Sequence, residues 1–377
     1  MKVNVTVNRP GLSMSLFDML YAYWQSNDKN YQTKNQITFG DQPITDAINI
    51  WFDYLPESFD LDKIKEYDLV MLCNGCEPVQ VSTPAIKKAM EHAKVYLAAN
   101  SYLSRAHALY HKVIWCPHNF IMCNDLWFDH RYPQFFEKTK YIKSDRSPEL
   151  LAINGANRAH RHHFFSELSR KVPSISVRSN LSSGIFKIDD CQWESANDQI
   201  FRDWCNDSYY DDINPKSYDY YDRSALIGID GKLGAIAPGY TIMPEYFEYS
   251  CVIFPESNWI NDELCVTEKA FKCFRAGSLP FPVAGAGTNR MYNELGFYTA
   301  WNLLPRDLQR FDWEPDHRSR YDQMIDAISW LENNQEIFSQ DVFRDLTLKN
   351  KIHFLDNDCV FHAIKRFDHL LSGYQKS

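Results

Sequence analysis

One pattern recurs along this chain and restricts its fold more than any other. A short, continuously apolar run stops at a turn residue, a capped helix follows, and a second apolar run returns. Tyr67 to Cys73 (YDLVMLC) ends at Asn74-Gly75, Thr83 and Pro84 open the helix AIKKAMEHA, and Lys94 to Ala99 (KVYLAA) comes back as a strand. A strand that is apolar at every position has both faces covered, as in a parallel sheet flanked by helices, and Pro in a first turn marks a helix start. The segment therefore reads as a βαβ unit of an α/β fold.

The rhythm begins at the N-terminus, where MKVNVTV alternates like a strand and SMSLFDMLYAYW carries apolar residues at helical spacing, with Ser13 or Ser15 as cap. His111 to Ile114, leading to Cys116, is a further short strand. Lys138 to Pro148 (KTKYIKSDRSP) is polar, charged and closed by Pro, which suits a linker. Beyond it the pattern resumes: Leu150 to Asn154 is a strand, Ala159 to Val172 a helix, and Cys251 to Pro255 a strand. Thr267 to Ala276 is a helix with Thr267 as its cap and Gly277 as its terminator, and Pro280 to Val283 is the next strand. From Arg318 onward the spacing is helical.

A chain of 377 residues with this rhythm predicts two domains: 1–145, then 146–330 with an acidic insertion at about 189–222, and then C-terminal helices over 331–377 that can pack back on the first domain. No apolar run is long enough to span a bilayer and no secretory start is present, so a cytoplasmic protein is expected. Ten cysteines at scattered spacings read as reduced thiols. Cys73 and Cys76 form the only CxxC pair; Cys116 and Cys123 are the nearest possible completions of a zinc site, at a spacing that fits no usual pattern.

The net charge of -9 is unevenly spread. Residues 189–222 hold ten Asp or Glu against Arg202 and Lys216, a local net of -8, whereas 151–188 carry Arg158, Arg161, Arg170, Lys171, Arg178 and Lys187 against Glu167 alone. An anion is expected in the second stretch. In an open parallel sheet the ligand lies beyond the carboxyl ends of the strands, where helix N-termini offer free N–H groups. Two places qualify. The first is the strand-turn-helix step Asn154-Gly155-Ala156-Asn157-Arg158-Ala159-His160-Arg161, in which Arg158 and Arg161, three apart, can face one diphosphate. Without a ligand the same step is an exposed basic helix start. His160, His162 and His163 have no acid or thiol nearby in sequence to complete a metal site. The second place is Val266-Thr267-Glu268-Lys269, following Phe254-Pro255-Glu256-Ser257-Asn258. At such a helix start a carboxylate can accept both hydroxyls of a ribose and a Lys can neutralise a phosphate; the bland reading is a charged first turn.

FPESN at 254–258, VTEKAFKCFRAGSLPFPV at 266–283 and GAGTNRMYNELGF at 285–297 resemble the donor-binding region of the α1,3-fucosyltransferase family and of related bacterial and phage-type glycosyltransferases. The resemblance covers about 50 residues, and a weaker one covers LLAINGANRAHRHHFFSEL; residues 1–145 and the acidic block match nothing in that pattern. It implies a GT-B fold, two Rossmann-like domains facing across a cleft, with a nucleotide-diphosphate sugar held by the second. It further implies Glu268 on the ribose, Lys269 with Arg158 or Arg161 on the diphosphate, Glu256 and Thr267 as further donor-binding residues, and inversion at the sugar carbon. No metal or other cofactor is expected, because basic side chains and helix N-termini stabilise the leaving diphosphate.

Inversion requires a general base from the acceptor side. Glu77, beyond the carboxyl end of YDLVMLC, is the first candidate, with Asp18 and Asp53 as substitutes. Its bland reading is a solvated loop carboxylate. The acceptor is expected to be a glycan hydroxyl. A hydroxymethylated DNA base is the second reading, weakened by 16 basic against 17 acidic residues through position 150, which give no bulk attraction to a polyanion. Lys138, Lys140, Lys143 and Arg146 remain as a local basic patch. A third reading is a sugar- or nucleotide-binding module without catalysis.

Overall fold

The computed structural model describes residues 2–8, 35–54, 63–73, 84–99, 101–103, 108–116, 147–154, 159–179, 244–256, 263–355 and 358–374. The strands in chain order are β1 (Lys2–Val7), β2 (Gln36–Phe39), β3 (Ile48–Tyr54), β4 (Leu69–Cys73), β5 (Val95–Ala99), β6 (Ser101–Leu103), β7 (Val113–Trp115), β8 (Ser147–Asn154), β9 (Ser176–Ser179), β10 (Tyr249–Pro255), β11 (Glu263–Cys265) and β12 (Leu279–Val283). The α-helices are α1 (Lys63–Glu66), α2 (Pro84–Met90), α3 (Ala159–Lys171), α4 (Pro244–Glu248), α5 (Glu268–Ala276), α6 (Thr288–Glu294), α7 (His317–Asn333), α8 (Asp341–Leu355) and α9 (Asp358–Tyr374). The fold is α/β, and the chain forms two compact units: residues 1–124, 262–266 and 356–377 make unit 1, and 125–261 with 267–355 make unit 2. Among the described residues, no helix is long and apolar enough to cross a membrane.

Unit 1 is built on a six-stranded sheet in the order β2-β1-β3-β4-β5-β7, parallel at every pairing. The apolar run beginning at Tyr67 becomes β4, buried at all five positions. Strands β3 and β5 pair with both its edges and helices cover both faces of the sheet, which explains the absence of any polar residue in it. On one face Trp51, Val70, Leu72, Val95, Leu97 and Val113 form a core with Ala89 and Met90 of α2. On the other, Phe52 meets Phe367 of α9 at 6.1 Å between ring centroids. The last helix therefore belongs to unit 1, and its Arg366 donates to the Tyr110 carbonyl. The strand expected from His111 begins later, because Tyr110–Lys112 forms a 3-10 turn before Val113 enters the sheet. Strand β11 returns to unit 1 as an antiparallel partner of β6.

Unit 2 carries a four-stranded sheet in the order β12-β10-β8-β9, also parallel throughout. Pro148, expected at the end of a linker, already lies in β8; the domain boundary expected at 145 and the acidic block 189–222 fall outside the described residues. Pro280 and Pro282 explain why β12 is an edge: a strand lacking two N–H groups cannot serve two neighbours. Leu150, Ala152, Cys251, Ile253, Leu279 and Phe281 point to one face, where Phe164 and Leu168 of α3 and Tyr321, Ile325 and Ile328 of α7 cover them. Phe271, Phe274, Phe297 and Phe354 form a second aromatic cluster, with Phe274 and Phe297 stacked at 4.3 Å. Gly277 ends α5 as expected, in the left-handed conformation at φ 78, with its N–H and that of Ser278 returning to the Cys273 carbonyl.

Arg320 is fully buried in unit 2. Its guanidinium donates to the carbonyls of Ala284 and Glu314 and meets His317 Nδ1. Desolvation and the adjacent Arg320 charge push His317 down to about 4, so the imidazole is neutral at physiological pH. Gly296 is held at φ 84, and a Cβ there would meet His353 Nε2 at 2.7 Å, an atom that is itself bonded to the Leu295 carbonyl. Gly296→Ala is accordingly expected to cost about 1–3 kcal/mol, combining left-handed strain with displacement of the imidazole. A fall in the urea midpoint of unit 2 checks this; an unchanged midpoint contradicts it.

Candidate functional site

In unit 2 the chain leaves β8 through α3 to β9 on one side, then returns through β10 and α5 to β12 on the other. The direction of winding reverses between β8 and β10. Right-handed crossovers place α3 and α5 on opposite faces, so the loops part and a crevice opens at the carboxyl ends of these two strands. The two sequence segments singled out above, the start of α3 and the start of α5, both belong to this one place.

Glu256, directly after β10, organises it. Its N–H donates to the Val283 carbonyl at 2.9 Å, and its side chain is completely buried. Thr267 donates its hydroxyl to Glu256 Oε2 at 2.6 Å and its N–H to Oε1 at 3.5 Å, Tyr292 of α6 donates to Oε1 at 3.3 Å, and Lys269 Nζ lies 4.0 Å from Oε2. Its carbonyl meets His160 Nε2 of α3 at 3.2 Å. Burial pushes the Glu256 carboxyl above the usual carboxylate range, against the pull of Lys269 and Thr267. Glu256, expected to bind the donor, has its carboxyl taken up by Thr267 and Tyr292 within the protein.

Thr267 occupies the expected cap position with extended backbone, but its side chain does not cap the helix, because the hydroxyl is committed to Glu256. The start of α5 therefore keeps its positive pole for other partners. Glu268, the first helical residue, is about a quarter exposed, 26%, and stands 3.7 Å from Lys269 Nζ, which is 12% exposed. Burial opposes ionisation of Glu268, yet Lys269, Lys272, its own backbone N–H and Arg161 outweigh that and hold its carboxyl below the usual range. Two glutamates that flank the same Lys269 thus take opposite electrostatic characters.

Arg161 is 2% exposed, not the open basic turn that the sequence allows, and it lies within the field of Glu268. Arg158 and Glu77 lie outside the described residues, as do Asp18, Cys76 and Cys123. Cys73 and Cys116 are buried, and among the described residues no cluster of three metal-ligating side chains exists. In unit 1 the winding reverses between β1 and β3. There Asp53 is 3% exposed and accepts from Asn8 Nδ2 at 3.1 Å, at the carboxyl ends of both strands.

Three contributors escaped the sequence reading. Lys272 was legible as the i+4 partner of Glu268. Tyr292 and the role of His160 as a tether were not, because the contacts that define them span 36 and 96 residues.

The Glu256 network generates a prediction with a definite sign. A buried carboxyl raised above the ordinary glutamate value of 4.5 leaves stability intact below that value and lowers it as pH rises through the folded value. Glu256→Gln should therefore gain stability relative to the native chain as pH rises above 4.5 in thermal melts; parallel pH profiles contradict this. Thr267→Val, which strips the carboxyl of its closest donor, should cost about 1–3 kcal/mol.

No protein-family model matches the chain, and no curated protein matches it. Among solved structures it is similar to an α1,3-fucosyltransferase at 12% identity and a TM-score of 0.42, over 96% of this chain and 92% of that one. An α1,3-fucosyltransferase with GDP-fucose gives 10% identity and a TM-score of 0.39, over 93% of this chain and 82% of that one. A UDP-GlcNAc 2-epimerase from Neisseria meningitidis, bound to UDP-GlcNAc, gives 10% identity and a TM-score of 0.37, over 97% and 99% respectively. The functional reading of the chain rests on its own side chains.

Proposed function

We propose that the chain is a glycosyltransferase that takes a sugar from a nucleotide-diphosphate donor bound at the β8/β10 crevice of unit 2. The observation that carries this reading is the ionised, partly exposed Glu268 at an uncapped helix start among Lys269, Lys272 and Arg161. A carboxylate held charged in this way accepts two vicinal hydroxyls, as a ribose offers, while adjacent cations and the N–H groups of α5 favour a diphosphate. The leaving nucleoside diphosphate gains negative charge as the sugar departs, so the same groups bind it more tightly than the donor. This chemistry needs no metal.

Inversion requires that the acceptor hydroxyl lose its proton as it attacks the anomeric carbon. Glu77 is the base this reading places first, with Asp18 and Asp53 as substitutes; Asp53 stands at the winding reversal of its own sheet, bonded to Asn8. A glycan hydroxyl is the acceptor this reading favours. A hydroxymethylated DNA base is the alternative, separated by assaying plain and hydroxymethylated duplexes beside a glycan panel.

Binding is tested by thermal shift against nucleoside diphosphates. A ligand at about 100 times its Kd stabilises by about 2.7 kcal/mol. Glu268→Ala should lose roughly 1.5–3 kcal/mol of binding; undiminished stabilisation refutes the donor site. Glu77→Gln should keep the donor-induced shift and lower turnover by about 10²-fold or more. An active Glu77→Gln enzyme with an inactive Asp53→Asn one passes the role to Asp53. Release of nucleotide without sugar transfer to any acceptor supports a binding module instead.

A further inference from the structure

Unit 2 has a second concavity that the donor site does not use. It is a cavity of about 590 Å³ between the 3-10 turn Leu308–Trp313 and α7, lined by Asp307, Arg310, Trp313, Glu314, Gln323 and Asp326. Its size lies within the roughly 300–1,000 Å³ of small-ligand sites. We propose that it binds a saccharide ring carrying no acidic group.

The floor is Trp313, 52% exposed. An isolated exposed apolar side chain is unremarkable, but this ring is backed on both its supports. Trp301 packs against it at 5.7 Å between centroids, and the Arg290 guanidinium sits 4.9 Å from the ring. Arg290 is in turn fixed by two bonds to Asp312, through Nε to Oδ2 at 3.1 Å and through its second guanidinium nitrogen to the carbonyl at 3.0 Å. A preorganised indole face open to solvent stacks on the apolar face of a pyranose with little ordering cost.

The walls supply the complementary half. Glu314 is already oriented, its two oxygens taking the Asp316 N–H at 3.0 Å and the Gln323 amide at 3.3 Å. Gln323 gives its other amide proton to Ser319 at 3.0 Å, which leaves its carbonyl oxygen to accept from a ligand. Among the described residues the side chains of Asp307, Arg310 and Asp326 have no hydrogen bond or ion pair. Sugar hydroxyls donate to carboxylates and accept from a guanidinium, so a polyol satisfies all of them. Three carboxylates against Arg310 give the cavity an acidic excess, which disfavours nucleic acid, sulfated glycans and nucleotides. The pocket and the donor site are linked through α6: Asp312, next to Trp313, accepts the N–H groups of Asn289 and Arg290 at 2.9 and 3.1 Å, while Tyr292 of the same helix reaches Glu256.

The inference does not rest on the transferase reading, and the test separates the two. The full chain is titrated with neutral and amino saccharides, with heparin-type sulfated oligosaccharides and duplex DNA beside them, and nucleoside-diphosphate stabilisation is recorded for each variant. The expected result is that neutral or amino saccharides bind and that Trp313→Ala weakens them at least about tenfold, which is about 1.4 kcal/mol. Trp313→Phe should restore part of the affinity, Asp326→Asn should weaken binding, and the nucleotide response of all three should match the native chain. No binding of any uncharged or amino saccharide at about 10 mM, equal binding by Trp313→Ala, or preference for the sulfated sugars or DNA overturns the proposal. A lost nucleotide response in the native chain would instead count against the donor site.

Discussion

The buried carboxyl of Glu256 is the point on which the arrangement of unit 2 depends. It takes the hydroxyl of Thr267 and the phenol of Tyr292, and its backbone carbonyl meets His160, so α6 and the starts of α5 and α3 are tied to the end of β10 by one residue. Burying a carboxyl costs free energy unless donors surround it. Here they come from α5 and α6, while α3 holds the backbone carbonyl of the same residue, so all the polar groups of Glu256 are satisfied only when all three helices are in place. A network of this kind fixes a single geometry more than it adds net stability.

That geometry sets two glutamates apart. Glu256 is pushed towards the neutral form by burial, whereas Glu268, which Lys269 also touches, is kept charged by Lys269, Lys272 and Arg161. Because Thr267 gives its hydroxyl to the first, it leaves the helix start uncapped for the benefit of whatever meets the second. The diversion of a side chain from its local role to a long-range one is the step by which the fold becomes a site.

Much of this was legible in the residues. The uniformly apolar β4, the terminating Gly277 and the two prolines of β12 each specify their structure by backbone or burial rules that act locally. The two candidate segments were also legible, since strand-turn-helix steps and clustered charge are local patterns. What was not legible depends on distance in sequence. Nothing in Thr267-Glu268-Lys269 shows that the Thr hydroxyl turns backwards, and nothing around Arg161 shows that a residue opening a basic helix lies 2% exposed. The Trp313 cavity was invisible for the same reason, since its lining spans Asp307 to Asp326 across two elements and its aromatic floor looks, in sequence, like any core tryptophan. Parts of the reading, among them Glu77, Arg158 and the acidic block, lie outside the described residues.

The most direct test of the account is a crystal structure of the chain with a nucleoside diphosphate. It should show both ribose hydroxyls within about 3 Å of the Glu268 carboxylate, with the diphosphate over the start of α5 beside Lys269. A nucleotide bound away from the carboxyl ends of β8 and β10, leaving Glu268 without contact, would contradict it.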